Sequence, residues 1–173
     1  MKKIKNLLTI FLWLTYKKLQ LTQYYLKTYS KNSIKEKCCV LKVDGRVMHG
    51  GLVDRLKSAV LVYAICKANH IPFKIYFTSP FKLQDILFPN EYDWVINEED
   101  LTCSMLDTKI ITSYKGKLKL KFNNKTQIHV YNFGGGYLDH INSQYNTDYT
   151  FASLFQELFQ PSDKLSFLID DVK

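Results

Sequence analysis

The chain has 173 residues, enough for one domain with a modest appendage. Hydrophobic residues at 46% and aromatics at 14% exclude a mainly disordered chain. The net charge of +8 sits at one end: residues 1–37 hold nine lysines and one acid, Glu36, so the remainder balances and offers no basic face for nucleic acid.

The first feature in chain order is the apolar run of eight from Leu7 to Leu14. A spanning helix needs about 20 such residues, so this run is too short to cross a bilayer. It is followed by Thr15-Tyr16-Lys17-Lys18 with no small-x-small site, which argues against a cleaved signal peptide. The pattern predicts an amphipathic helix over about residues 4–29, with Leu7, Phe11, Leu14, Leu21 and Tyr25 near one side. Such a helix either lies in the headgroup region of an anionic leaflet or packs on the domain, and periodicity alone does not separate the two. Cys38, Cys39, Cys66 and Cys103 show no C-x-x-C spacing. Reduced thiols, no metal, and a cytoplasmic chain that is at most peripheral on the inner membrane are expected.

A β-α-β unit follows. Strand Cys39–Val43, the bend Met48-His49-Gly50-Gly51, helix Leu52–Ala68 and strand Phe73–Phe77 predict parallel neighbours and a right-handed crossover, hence an α/β, Rossmann-like parallel-sheet domain. The helix is apolar nearly all round, so it is expected between the sheet and another layer. Paired glycines let backbone N–H groups approach a ligand, and the helix start adds its unpaired donors and partial positive charge. His49, Gly50, Gly51, Asp54 and Arg55 are therefore the first candidates for holding a phosphate or sugar. Each has a plainer reading: a conformational Gly-Gly, a satisfied loop histidine, and a first-turn carboxylate that complements the helix dipole.

Further along, a short helical piece is expected over Lys82–Leu87, a short strand at Trp94–Ile96, a solvated acidic loop at Asn97–Asp100 and a strand at Lys109–Ser113. Lys117–Phe122 alternates strictly, as a half-exposed hairpin or edge strand would, and Gln127–Tyr131 reads as another strand. Phe133-Gly134-Gly135-Gly136-Tyr137 then either brings backbone to a ligand at the carboxyl edge of the sheet or forms a flexible loop. With Asp139 and His140 beside them, Gly134, Gly135 and Gly136 form the second candidate region. Thr150 or Asp148 should cap a helix bearing Phe151, Leu154, Phe155, Leu158 and Phe159, with Pro161 ending it and a last short helix in 162–172. The expected organisation is a basic segment 1–37, a domain 38–160 and a linker helix 161–173.

The string from His49 to Trp94 resembles the N-terminal part of the bacterial fucosyltransferase-like family, related to α1,2-, α1,6-, protein O- and nodulation fucosyltransferases. The residues that carry the likeness are Gly50, Gly51, Leu52, Asp54, Arg55 and Leu56, then Phe73 to Phe77, then Pro80, Phe81 and Leu83, with Leu154–Leu165 similar to the crossing between domains. The resemblance implies the first half of a GT-B glycosyltransferase, metal-free transfer from GDP-fucose to a surface-glycan acceptor, and a second domain with a His-x-Arg motif that grips the donor. No His-x-Arg occurs in this chain, so that half is expected to be missing or separately encoded. The alternative is a non-catalytic carbohydrate- or protein-binding module that keeps only the acceptor-side domain.

Overall fold

The computed structural model describes residues 15–16, 18–26, 35–112, 120–131, 133 and 138–170. A helical segment over residues 18–26 (α1) precedes strand β1, Cys38–Val43, which is buried at every position. Helix α2 (Leu52–Ala68) leads to β2 (Phe73–Phe77). The short β3 (Leu87–Pro89), then β4 (Thr108–Ile111), β5 (Gln127–Val130), α3 (Leu138–Tyr145), α4 (Phe151–Leu158), β6 (Phe159–Pro161) and α5 (Asp163–Asp170) complete the order. The main sheet is parallel and four-stranded, in the order β2-β1-β5-β4. The domain is thus α/β with helices flanking a parallel sheet, consistent with a Rossmann-like fold.

The handedness of crossovers decides which side of the sheet each connection uses. From β1 to β2 and from β4 to β5 the chain steps one place in the same direction, so both connections belong on one face. The first is α2, and the second brings Leu120 and Phe122 against the same core. From β2 to β4 the chain returns across the sheet in the opposite direction: Leu83, Leu87 and Trp94 still pack on the α2-side core, and the crossing that follows uses the other face. There Ile96 and Leu101 pack on Cys38 and Val40.

Strand alternation gives the two faces different characters. Cys39, Leu41, Val43, Phe73, Ile75, Phe77, Ile128 and Val130 point to the α2 side and join one core with α3 and α4. Nine consecutive α2 residues, Ser58 to Cys66, are buried, as expected of a helix enclosed by a sheet and a further helical layer. The helix stops where Asn69 caps it: its Nδ2 donates to Ile65 O at 2.7 Å, and His70 turns left-handed at φ 54°.

Several expected elements differ in extent. Residues 83–85 form a single 3₁₀ turn where a longer helical piece was expected over Lys82–Leu87. The 94–96 stretch contributes one parallel bridge, Val95 to Ile75, at the β2 edge, and the 109–113 strand runs Thr108–Ile111. Helix α4 ends at Leu158, before Pro161, and the next three residues pair antiparallel with β3. Leu138-Asp139-His140 opens a helix that local pattern did not indicate. Thr150 caps α4 by accepting from Ser153 N at 3.1 Å. Positions 117–119 of the alternating lysine stretch lie outside the described residues.

Candidate functional site

The loops that follow β1, β2 and β5 meet at one end of the sheet, the carboxyl edge, where open parallel sheets receive their ligands. The loop after β1 carries the glycine bend. Gly51 is the N-cap of α2 with φ −62° and ψ 175°, a conformation open to any residue, and no side chain caps the helix. The amides of the first turn therefore face outward, and Gly50, Gly51, Leu52, Val53 and Asp54 are all exposed. A Cβ on Gly51 would meet nothing within 4 Å, whereas one on Gly50 would lie 2.3 Å from Asp54 Oδ2. The glycine required for close approach is thus Gly50, and what approaches it is the Asp54 side chain. Asp54 sits in the first turn, where its charge complements the helix dipole.

Arg55 is committed to the backbone. Its Nε donates to Gly50 O at 2.9 Å and one terminal nitrogen donates to Ser79 O at 2.8 Å, which ties the β1 loop to the β2 loop. Orienting this arginine does not fall to Asp54: carbonyl oxygens hold it. His49 is different. Its Nε2 is buried and has no hydrogen-bond partner among the described residues. Burial first, then the nearby Arg55, lower its pKa to about 4, with Asp44 opposing, so the ring is neutral at pH 7. An imidazole nitrogen withdrawn from water without a partner is costly, and a ligand hydroxyl or phosphate oxygen would satisfy it. Met48 and Val53, 65% and 63% exposed, form an apolar rim with the less exposed Leu52.

In the second candidate region, Gly134, Gly135 and Gly136 lie outside the described residues. Asp139 and His140 stand exposed in the first turn of α3, after the same sheet edge. Among the described residues no group of His, Cys, Asp and Glu is arranged to hold a metal ion.

A third constellation escaped the reading of the sequence. On the sheet face opposite α2, under α1, lie Lys42, Gln127 and His129, each fully buried. Gln127 Nε2 donates to Asp100 O at 2.9 Å, which fixes its oxygen as the group facing His129 Nε2 at 2.9 Å. An amide oxygen only accepts, so Nε2 carries the proton and Nδ1 accepts from the Tyr25 hydroxyl at 2.5 Å. Tyr131 then shares its hydroxyl proton between Tyr25 Oη at 3.1 Å and Asp44 Oδ2 at 3.4 Å. Burial and the neighbouring Lys42 hold His129 well below its ordinary pKa.

Asp44, just past the end of β1, anchors the rest. Its Oδ2 accepts from Arg46 at 2.6 Å and faces Lys42 Nζ at 3.4 Å, while its Oδ1 accepts from the Arg46 amide at 3.1 Å. Lys42 also donates to Tyr24 Oη at 3.1 Å, and Arg46 lies over the Tyr24 ring at 3.8 Å. Burial lowers the Lys42 pKa to about 8 despite Asp44. One clue stood in the sequence: Lys42 interrupts the apolar run Val40-Leu41-Lys42-Val43, with Asp44 and Arg46 directly after it.

No family model, no curated protein and no solved structure matches this chain. What the structure defines is a class: an α/β parallel-sheet domain, consistent with a Rossmann-like fold, with an uncapped helix start at the carboxyl edge of its sheet and a buried polar layer on the face under α1. No helix among the described residues is long and apolar enough to cross a membrane.

Proposed function

We propose that this chain is the acceptor-side, Rossmann-like half of a GT-B glycosyltransferase of the fucosyltransferase-like kind, with GDP-fucose as donor and a surface glycan as acceptor. The observation that carries the reading is the bend at Gly50 and Gly51. It presents uncapped helix amides beside a buried, partnerless His49 nitrogen, at the sheet edge where nucleotide sugars are held in such folds. The exposed rim of Met48, Leu52 and Val53 suits a surface that a donor-gripping domain covers. Within residues 1–37, α1 packs on the domain through Leu21 and Tyr25, while Leu7, Phe11 and Leu14 lie outside the described residues, so peripheral contact with an anionic leaflet is assigned to the lysines and the exposed Tyr16, Leu19 and Leu26.

A second reading has its own support. Arg55 directs its Nε and one terminal nitrogen to the Gly50 and Ser79 carbonyls, a structural use that suits a module that binds glycan or protein without catalysis. Calorimetry with GDP-fucose, together with GDP release assayed with and without glycan acceptors, separates the two. The transferase reading expects donor binding that is weakened by Gly51→Asp, because the new carboxylate occupies the helix start and repels phosphate. That substitution should change stability by no more than about 0.3 kcal/mol, because glycine is already a tolerated N-cap. Absence of both donor binding and GDP release sinks the transferase reading in favour of the binding module.

A further inference from the structure

Between α1 and the loop after β1 lies a crevice of about 400 Å³, lined by Gln20, Gln23, Tyr24, Asp44, Gly45 and Arg46. Ligand pockets for small molecules start at about 300 Å³, so the space admits a phosphorylated or carboxylated molecule of one-ring size. Its charges do not balance. Lys42 is 0% exposed and lies behind the crevice, against the lining residues Asp44 and Tyr24; Asp44 is 2% exposed and Arg46 is 32% exposed. One carboxylate serves two cations, which leaves an excess positive charge in a site largely withdrawn from water. Buried charge of this kind is expensive without a counter-charge, and a protein that needed only stability would be served as well by apolar residues there.

We propose that this crevice is an anion-binding site for a phosphate or carboxylate group, held by Arg46 with the amide of Gln23 and the second N–H of Gln20, whose Nε2 also donates to Tyr16 Oη at 2.8 Å, and that the anion neutralises the Lys42–Asp44–Arg46 set. A guanidinium at a crevice mouth pairs readily with a planar or tetrahedral oxyanion, and side-chain amides add neutral donors around it. Burial, with Arg46 adding to it, lowers the Lys42 pKa to about 8 although Asp44 opposes the shift. The site does not rest on the transferase reading: it lies between α1 and the β1 loop, and its ligand is the anion itself, whatever molecule bears it. A soluble phosphomonoester and the headgroup phosphate of an anionic lipid offer the same chemistry, and the experiment tells them apart.

The full chain is titrated with inorganic phosphate and with glycerol phosphate at constant ionic strength, following the backbone amide resonances by NMR, and in parallel with vesicles of phosphatidylglycerol or of phosphatidylcholine alone. Binding of either soluble anion with shifts centred on Gly45 and Arg46 supports a free ligand. Binding to phosphatidylglycerol vesicles alone supports the lipid source when Arg46→Gln weakens it; vesicle binding that this substitution leaves unchanged belongs to the lysines of residues 1–37 and overturns the proposal. In either case Gln23→Glu, an exposed change that places a carboxylate at the mouth without touching the core, should weaken binding about tenfold, as loss of one charge-assisted contact does. Arg46→Gln should do at least as much. The proposal is overturned if neither anion source binds, if Gln23→Glu binds as well as the parent, or if the shifts centre on Gly50 and Gly51.

Discussion

The two faces of the sheet are built from the same strands and obey opposite rules. Toward α2, the alternate residues of β1 are Cys39, Leu41 and Val43, all apolar and all within one core. Toward α1, they are Cys38, Val40 and Lys42, and the neighbouring strand adds Gln127 and His129. Both faces are equally shut off from water, so solvation does not explain the contrast. Apolar burial accounts for stability on one side at about 25 cal/mol per Å². The other side holds charges and hydroxyls in a connected network that stability alone does not require.

The largest effect that would break this contrast comes from Asp44. Asp44→Ala leaves Lys42 and Arg46 without their carboxylate and should cost about 3–5 kcal/mol in urea unfolding, as losing one member of a buried ion pair does. Leu41→Ala, one strand position from Lys42 and on the apolar side, should cost about 2–5 kcal/mol through its cavity. Equal sensitivity of the two faces would then come from different causes, and Lys42 distinguishes them. Lys42→Met keeps the volume and removes the charge, and it should change stability by no more than about 1 kcal/mol or raise it. A loss as large as that of Leu41→Ala would mean that the polar face is structural after all.

A smaller effect comes from acid. His49 and His129 have pKa values lowered in the fold, chiefly by burial, so each binds its proton more readily when unfolded. Their contribution is complete above the ordinary histidine value near 6.5 and is lost as pH falls toward about 4, the folded value for His49. Denaturation midpoints should decline over that window, and His49→Asn should flatten part of the slope. A midpoint that holds steady between pH 7 and pH 5 would show that neither ring is kept neutral by folding.

The β1-α2-β2 unit was legible because each signal is local: two apolar runs of strand length, a helix-length apolar stretch, and Gly50-Gly51 between them. Thr150 was legible as a cap for the same reason. Pairing of Leu87–Pro89 with Phe159–Pro161 was not, since three-residue strands some seventy positions apart carry no periodicity of their own. Helix α3 was hidden behind the glycines that precede it. At the candidate site, the bend and its exposure could be anticipated, whereas the use of Arg55 on two carbonyls depends on Ser79, brought near only by the fold. The polar layer under α1 was missed because Lys42 and His129 each stand alone among apolar residues in sequence, and meet Tyr24, Tyr25 and Asp44 only in three dimensions.

Trp94 offers a practical consequence. Its indole is fully enclosed, donates from Nε1 to Leu158 O at 2.7 Å and sits edge-on to Phe159 at 5.7 Å, so the middle of the chain and its final third meet at one fluorophore. The sequence holds only one other tryptophan, Trp13. A Trp13→Phe background therefore yields a single optical probe whose emission should move to longer wavelength when the α4–β6 region detaches from the sheet, reporting that event separately from anything that happens beneath α1.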